Sequence, residues 1–515
     1  MIKSSIPFVG LHAHSTAGSP FDAIGYPQQH MDFAYENGCD ALALTDHGNC
    51  NGLAYQVLHA KSMEKAGKNF KPIYGCEAYF IPSLKEWENA YEQSKSDKKR
   101  KKEKSTGGFS VEDESETKAV KGILNRRRHL VLLAQNETGL SNIFKLVSQS
   151  YKPGNFYRFP RIDYDLLQTH NEGIIASSAC LGGIYAGDLW ENMDNGDEAI
   201  LNAMRKTTEN MRSIFGDRWY AELQWFKHPT QMQLNKFIVQ VAKEYDLELI
   251  STADSHYFNP DVWKSRELYK RFRPGATAFF GEMAENLEDY GMELYPKNGD
   301  QMFASYKKYS SELGCDFDDD LIKDSITRTH HIAHNRIDKF YPDNTVRLPS
   351  FVVPEGMTED NALSEMSWNG LTSIIPSDKI GEYSERLEHE LQVIKDRGFS
   401  RYFLTMKSIA DKATSIQITG PSRGSAGGSL VAYALGITQV DPIKYGLLFS
   451  RFLRSDAKDY PDIDYDVSDP MVLKESLVKE WGEDNVVPIS NWNTLQLRSL
   501  IKDISKFYDI PYQEV

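Results

Sequence analysis

The chain has 515 residues, 40% hydrophobic and 26% charged, with a net charge of −14. That length exceeds one hydrophobic core and predicts two to four domains. No run approaches the ~18 uninterrupted apolar residues of a membrane span, MIKSSIPFVGLHAHS lacks the apolar segment of a signal peptide, and the acidic balance does not by itself suggest a partner made of phosphates.

Over residues 1–265, short apolar strands alternate with helical segments, which predicts parallel β/α units. The expected strands are FVGLHAHS, ALALTDHG, KPIYGCEAYF, HLVLLAQN, GIIASSAC, WYAELQW and LELISTADSHY. In a β/α barrel the strand ends gather at one rim, so polar residues there converge on one pocket. His12 and His14 form an H-x-H on the first strand, and Asp22 follows in a turn. His47 ends the second strand, beside Asp46, and Glu77 ends the third. His129 starts the fourth, Cys180 ends the fifth, and Asp254 and His256 alternate on the seventh. Singly, each of these is more often structural. Together, imidazole, carboxylate and thiolate suit Zn²⁺, Mn²⁺ or Fe²⁺ better than Mg²⁺ alone. Five cysteines without a C-x-x-C pair point to a reducing cytoplasm.

Residues 83–128 hold DKKRKKEK and VEDESE and are expected to form a flexible, solvated excursion. After Pro260 the pattern becomes helical. In LIKDSITRTHHIAHNRID, Ile326, His330, Ala333 and Ile337 share one face. With no Cys or acidic residue at ligand spacing, His330, His331 and His334 read as part of an ordinary amphipathic helix rather than a metal site. LPSFVVPEGMTEDN reads as a connector ending in a helix cap, and RLEHELQVI as a helix ended near Gly398.

Further on come GPSRGSAGGSLVAYALGI (420–437) and PDIDYD (461–466). A D-x-D in a strand places Asp462 and Asp464 on one face. Two carboxylates so placed suit a pair of divalent ions about 3.5–4 Å apart. The Gly/Ser turn exposes backbone N–H groups and carries Arg423, which suits a triphosphate. Lys444, Arg451, Arg454 and Lys458 add local positive charge.

HAHS, LTDHGN, GCEAYF, HLVLLA, SSACLGG and ADSHY resemble the successive motifs of the polymerase-and-histidinol-phosphatase (PHP) domain, in the version that opens the bacterial replicative DNA polymerase III alpha subunits. The resemblance implies a seven-stranded PHP-type β/α barrel over 1–265. It also implies a centre of up to three ions, Zn²⁺ or Mn²⁺, on His12, His14, Asp22, His47, Glu77, His129, Cys180, Asp254 and His256. Members with the full ligand set show 3′-5′ exonuclease activity. RLEHELQVIKDRGFSRYFL, the glycine-rich stretch and PDIDYD resemble the same family's palm, an α+β domain like that of the polymerase-β-type nucleotidyltransferases, expected over 266–468. By that resemblance Asp462 and Asp464 are two of three catalytic Mg²⁺-binding aspartates. Arg423, Gly424 and Ser425, with Gly427, Gly428 and Ser429, hold the triphosphate, and Arg451 is an active-site arginine. Residues 469–515 resemble the start of a helical thumb, with Arg498 and Lys502 among its DNA-facing basic residues.

The family's third aspartate lies in a K-x-D-x-L-G strand, and no such string follows Asp464. The expectation is therefore the N-terminal portion of a DNA-directed DNA polymerase acting on primer-template DNA and dNTPs in the bacterial cytoplasm. A second polypeptide would bring the remaining thumb, the third aspartate, the fingers and any link to a sliding clamp. A phage-borne copy would suit the loosened motifs. The alternatives are a stand-alone PHP phosphoesterase and a non-catalytic replisome assembly piece.

Overall fold

Six of the seven expected runs form strands, β1 Ala41–Leu44, β2 Lys71–Phe80, β3 Arg128–Ala134, β6 Ile174–Ser177, β7 Trp219–Gln224 and β8 Leu249–Thr252, and a two-residue ladder of β4 Phe156–Tyr157 with β5 Phe159–Pro160, which was not expected, falls between β3 and β6 in the chain. The computed structural model describes residues 4–514 except 105–122, 125, 272–292, 349–350, 354, 457–459, 490–495, 498–499, 503–504 and 506–509. It divides into two units, Met1–Pro342 with Gln496–Val515, and Asp343–Leu495. The boundary expected at 265 thus falls inside the first unit. Met302, Tyr306 and Tyr309 of helix Gly299–Glu312 and Ile322 and Ile326 of helix Asp319–His331 belong to the same core as the strands.

The main sheet has the order β1-β2-β3-β6-β7-β8. β1–β2, β6–β7 and β7–β8 are parallel, but β3 runs antiparallel to both its neighbours. This corrects the expectation of uniformly parallel units. It also explains why His129 opens its strand while the other polar residues close theirs: a reversed strand brings its first residue to the rim where the others end. FVGLHAHS forms no regular strand, yet Gly10 bridges Leu42 and Ala13 bridges Ser255, both in parallel. One segment therefore joins both edges of the sheet and curls it into a ring.

Period-two alternation decides which side each residue serves. On β2, Ile73 joins an inner cluster while Tyr74, Cys76 and Ala78 face the outer core; on β3, Val131 and Leu133 are inner, Leu130 and Leu132 outer. The inner cluster also takes in Ile332, Ala333 and Ile337, at and just beyond a π-helical turn, Ile332–Arg336, that follows helix Asp319–His331. Helix Asp319–His331 is tied to the ring by Val9 N–H donating to Thr329 Oγ1 (3.1 Å), a Ser251–Ser325 hydroxyl pair (2.7 Å) and Arg328 donating to the Leu249 carbonyl (2.9 Å). Residues Leu84–Lys104, expected to be part of a flexible excursion, form a helix instead, since Lys, Glu and Arg are good helix formers whatever their charge; VEDESE lies outside the described residues.

The second unit is built from helices Glu359–Ile374, Ile380–Asp396, Ser400–Ile416, Leu430–Ala434 and Pro470–Trp481. As expected, Thr358 caps the first, accepting from Asn361 N–H, and Gly398 follows the second at φ +70°. Leu371, Leu387, Ile394, Phe403, Leu404 and Leu430 are among the residues that fill its core. Among its described residues the β pairing is a single antiparallel bridge, Thr419 with Val467.

Candidate metal centre and nucleotide site

At the rim of the ring the nine expected residues do meet. His12 Nε2 lies 3.2 Å from both Glu77 Oε1 and Asp254 Oδ1, and His14 Nε2 lies 3.1 Å from Asp254 Oδ1. Glu77 is the hub, with His47 Nδ1 at 2.5 Å and His129 Nδ1 at 3.0 Å. His256 Nε2 and His47 Nε2 reach Asp22 Oδ2 at 3.2 and 3.4 Å. Cys180 Sγ sits 3.5 Å from His129 Nδ1 and 4.0 Å from Glu77 Oε1. Three sets have ligand atoms close enough to share an ion: His12/His14/Asp254, His47/Glu77/His129 and His14/His47/His256.

The donor chemistry and its burial fit a metal cluster. His12 Nε2, His14 Nε2, His47 Nδ1, Glu77 Oε2 and Asp254 Oδ1 are buried and lack a hydrogen bond of good geometry, a costly state that cations would relieve. Burial disfavours a charged His12, but the carboxylates of Asp254, Glu222 and Glu77 outweigh it and raise its pKa. His14 is held well below the ordinary value by burial and by His47 and His256. His47 rises to about 10, because Glu77 and Asp22 overcome its burial. Burial would raise Glu77, yet His129, His47 and His12 hold its carboxyl low; burial, with Asp254 and Glu77, pushes the Cys180 thiol up. Asp254 adopts φ +46° and Ala179, beside Cys180, φ +59°. Such a backbone persists in a non-glycine residue only where surrounding structure enforces it.

Sequence reasoning named Asp46 beside His47 without a role and passed over the other residues that orient this set. Glu222, 1% exposed on β7, accepts from His12 Nδ1 (2.7 Å), Ser177 Oγ (2.7 Å), Gln224 Nε2 (3.0 Å) and Thr252 Oγ1. A glutamate amid the apolar strand WYAELQW was the available signal. Buried Asp46 accepts from Ser15 N–H (2.6 Å), Ser15 Oγ (2.9 Å) and Ser19 Oγ (2.9 Å), fixing the turn after HAHS. Arg266 grips Asp22, donating to its carbonyl and its Oδ1, both at 2.7 Å.

In the second unit PDIDYD forms no helix or ladder, and the first pairing after it is the bridge at Val467. The alternation nevertheless holds, with Asp462, Asp464 and Asp466 exposed and Ile463 buried. Asp464 abuts the glycine turn: a Cβ on Gly424 would lie 2.1 Å from Asp464 Oδ2, and Gly424 has φ +65°. Only glycine serves there. Arg423 Nη1 donates to Asp466 Oδ1 at 2.9 Å, and Asp462 lies near Tyr402. Arg423, Gly424 and Ser425 are exposed, while Gly427, Gly428 and Ser429 are buried. Ser429 donates to Glu390 Oε2 (2.9 Å) and accepts from Ala432 N–H (3.1 Å), so its hydroxyl caps a helix. Glu390, fully buried and unforeseen, also accepts from Val431 N–H (3.1 Å) and Arg386 Nε (2.6 Å). Arg386 in turn donates to the Gly428 carbonyl at 2.8 Å. Arg451 is exposed on a turn whose Leu448 carbonyl lies 2.7 Å from where a Gly428 Cβ would sit. Lys502 lies in a helical stretch, and Arg498 falls outside the described residues.

Residues 10–225 match the family model of the PHP domain, and residues 361–515 that of the bacterial DNA polymerase III alpha NTPase domain. The chain is 33% identical to the DNA polymerase III subunit alpha of Aquifex aeolicus over 98% of its own length and 40% of the relative's. The Thermus aquaticus subunit is 30% identical over 99% and 42%, and that of Helicobacter pylori strain J99 31% over 100% and 40%. The chain thus spans about two fifths of the length of these curated relatives. Among the described residues no helix is long and apolar enough to cross a membrane. With both domain models matched in order and nearly every residue aligned, the chain carries a PHP domain followed by a DNA polymerase III alpha NTPase domain and matches the N-terminal part of the DNA polymerase III alpha subunits.

Proposed function

We propose that the rim of the ring is a phosphodiesterase centre holding up to three Zn²⁺ or Mn²⁺ ions on the nine residues described, and that it acts as a 3′-5′ exonuclease. The observation that carries this reading is the set of five buried nitrogen and oxygen atoms facing one another without hydrogen bonds of good geometry. Bound ions of this kind supply Lewis acidity toward a phosphate oxygen and an activated water. The chain's own residues do the rest. Glu222 accepts the Nδ1 proton of His12 and so leaves Nε2 as the free lone pair. Glu77 presents both oxygens inward, and Asp254, held at φ +46°, stands between His12 and His14. Purified protein with Mn²⁺ is expected to release nucleotides from a DNA 3′ end, and His12→Ala to abolish this. Full activity in His12→Ala would refute it.

We further propose that Asp462 and Asp464 supply metal ligands for nucleotidyl transfer onto a primer, with Mg²⁺ as the ion and the exposed part of the turn, Arg423 to Ser425, receiving the triphosphate. The contact of Asp464 with Gly424 supports this. Two carboxylates by themselves organise two ions poorly. These 515 residues alone are expected not to extend a primer with Mg²⁺ and dNTPs; extension at a rate like a whole polymerase would overturn the assignment.

A further inference from the structure

The two histidines read as ordinary helix surface turn out to have an acidic neighbour that no local pattern predicts. Asp40, in the loop before β1, sits 3.0 Å from His334 Nε2 and 3.9 Å from His330 Nε2. The two rings, one helical turn apart, have centroids 4.4 Å apart at 47°. A tetrahedral zinc centre with ligands at ~2.1 Å separates its donor atoms by about 3.4 Å. The observed spacings straddle that value, and the three donors lie within 4.8 Å of one another.

The framework under these ligands is rigid. Lys71, at the start of β2, donates its backbone N–H to the Asp40 carbonyl at 2.8 Å. Its buried ammonium donates to the carbonyls of Ala333 (2.5 Å) and Ile337. One residue therefore fixes both the loop that carries Asp40 and the π-turn that carries His334. That turn bears Ile332 and Ala333 of the inner cluster.

We propose that Asp40, His330 and His334 form a second metal site, separate from the rim centre, which takes a borderline transition ion such as Zn²⁺ and locks the π-turn into the ring. Two imidazoles and one carboxylate suit such an ion better than Mg²⁺ or Ca²⁺. The side chains are 48%, 39% and 30% exposed, which leaves an entry path and a position for a water ligand. An ion that binds the folded state alone also stabilises it by mass action.

The test loads full-length protein with Zn²⁺, removes excess by dialysis and counts bound equivalents. His334→Ala and Asp40→Asn are each expected to hold one equivalent fewer than wild type. In a His12→Ala background, where the rim centre is impaired, the same one-equivalent difference persists. Co²⁺ substitution gives an independent readout: wild type minus His334→Ala leaves the visible d–d bands of one site. Zn²⁺ is also expected to raise the wild-type melting temperature more than that of His334→Ala. Equal equivalents and equal Zn²⁺-dependent melting shifts in wild type and variants would overturn the proposal. Should His334→Ala fold poorly, Asp40→Asn, altered at a 48% exposed loop side chain, carries the decision.

Discussion

Replacing Glu222 by glutamine tests whether the rim centre depends on the residue behind it. Oε1 of Glu222 receives His12 Nδ1 and Gln224 Nε2, and Oε2 receives Ser177 Oγ. A glutamine oxygen can keep His12 and Gln224, while its amide nitrogen replaces Oε2 and faces Ser177, whose hydroxyl can rotate to accept. The shape survives and the charge is lost. Removing the hydrogen-bonded partner behind such a histidine typically costs 10–100-fold in affinity, or about 1.4–2.7 kcal/mol, and weakening it to a neutral acceptor is expected to cost the lower end of that range. The exchange of one charge-assisted bond for a neutral one adds about 1 kcal/mol of destabilisation. Calorimetric titration with Mn²⁺, against a chelator of known strength, reads the first figure, and urea unfolding reads the second. Glu222→Gln that folds and binds Mn²⁺ within twofold of wild type would refute the reasoning. Ser177→Ala, which loosens Glu222 without removing its charge, is expected to fall between the two.

The second unit and the flank of the ring give three more tests. Glu390→Ala leaves Arg386 Nε, Ser429 Oγ and Val431 N–H without this acceptor; breaking a buried pair of this kind costs about 3 kcal/mol, read by urea unfolding of the second unit's transition, and a loss under 1 kcal/mol would contradict it. Gly424→Ala is expected to cost about 1–2 kcal/mol for its φ of +65° and to drive Asp464 from the turn, abolishing Mn²⁺-dependent dATP binding. Gly427→Ala, opposed mainly by the hydroxyl of Ser422, is expected to be milder. Lys297 is fully buried, and burial lowers its pKa from 10.5 to about 8 against the pull of Glu293. The folded state therefore binds fewer protons than the unfolded between these values, so this group makes stability rise with pH from 8 to 10.5, by at most about 3 kcal/mol. Lys297→Met is expected to exceed wild type in stability near pH 7 and to lose that advantage by pH 10.5; a difference that stays constant with pH would exclude this.

The convergence of the rim residues was legible because strand ends that share a rim bring distant polar residues together, although neither the H-x-H at 12–14 nor the D-x-H at 254–256 lies in a regular strand and Asp254 leaves the extended region at φ +46°. The reversal of β3 was not legible, since an apolar run looks the same in either direction. Glu222 and Glu390 are acidic residues whose burial only tertiary partners explain: Ser177, Thr252 and His12 for one, the Ser429 hydroxyl and the Val431 N–H for the other. Asp40 lies 294 residues before His334, so no local spacing rule links them. Charge misled at Leu84–Lys104, where a helix-forming composition outweighed polarity.

The seam made by residues 10–13 sets a timetable for synthesis. Ala13 finds its bridging partner only in Ser255, 242 residues later, and the same stretch brings His12 and His14 to Asp254. On a ribosome adding about 5–20 residues per second, the two histidines wait roughly 12–50 s for that partner to be made. The nascent protein must keep this stretch from unproductive pairing until then, and the cluster of His12, His14 and Asp254 assembles only in the last stages of its maturation.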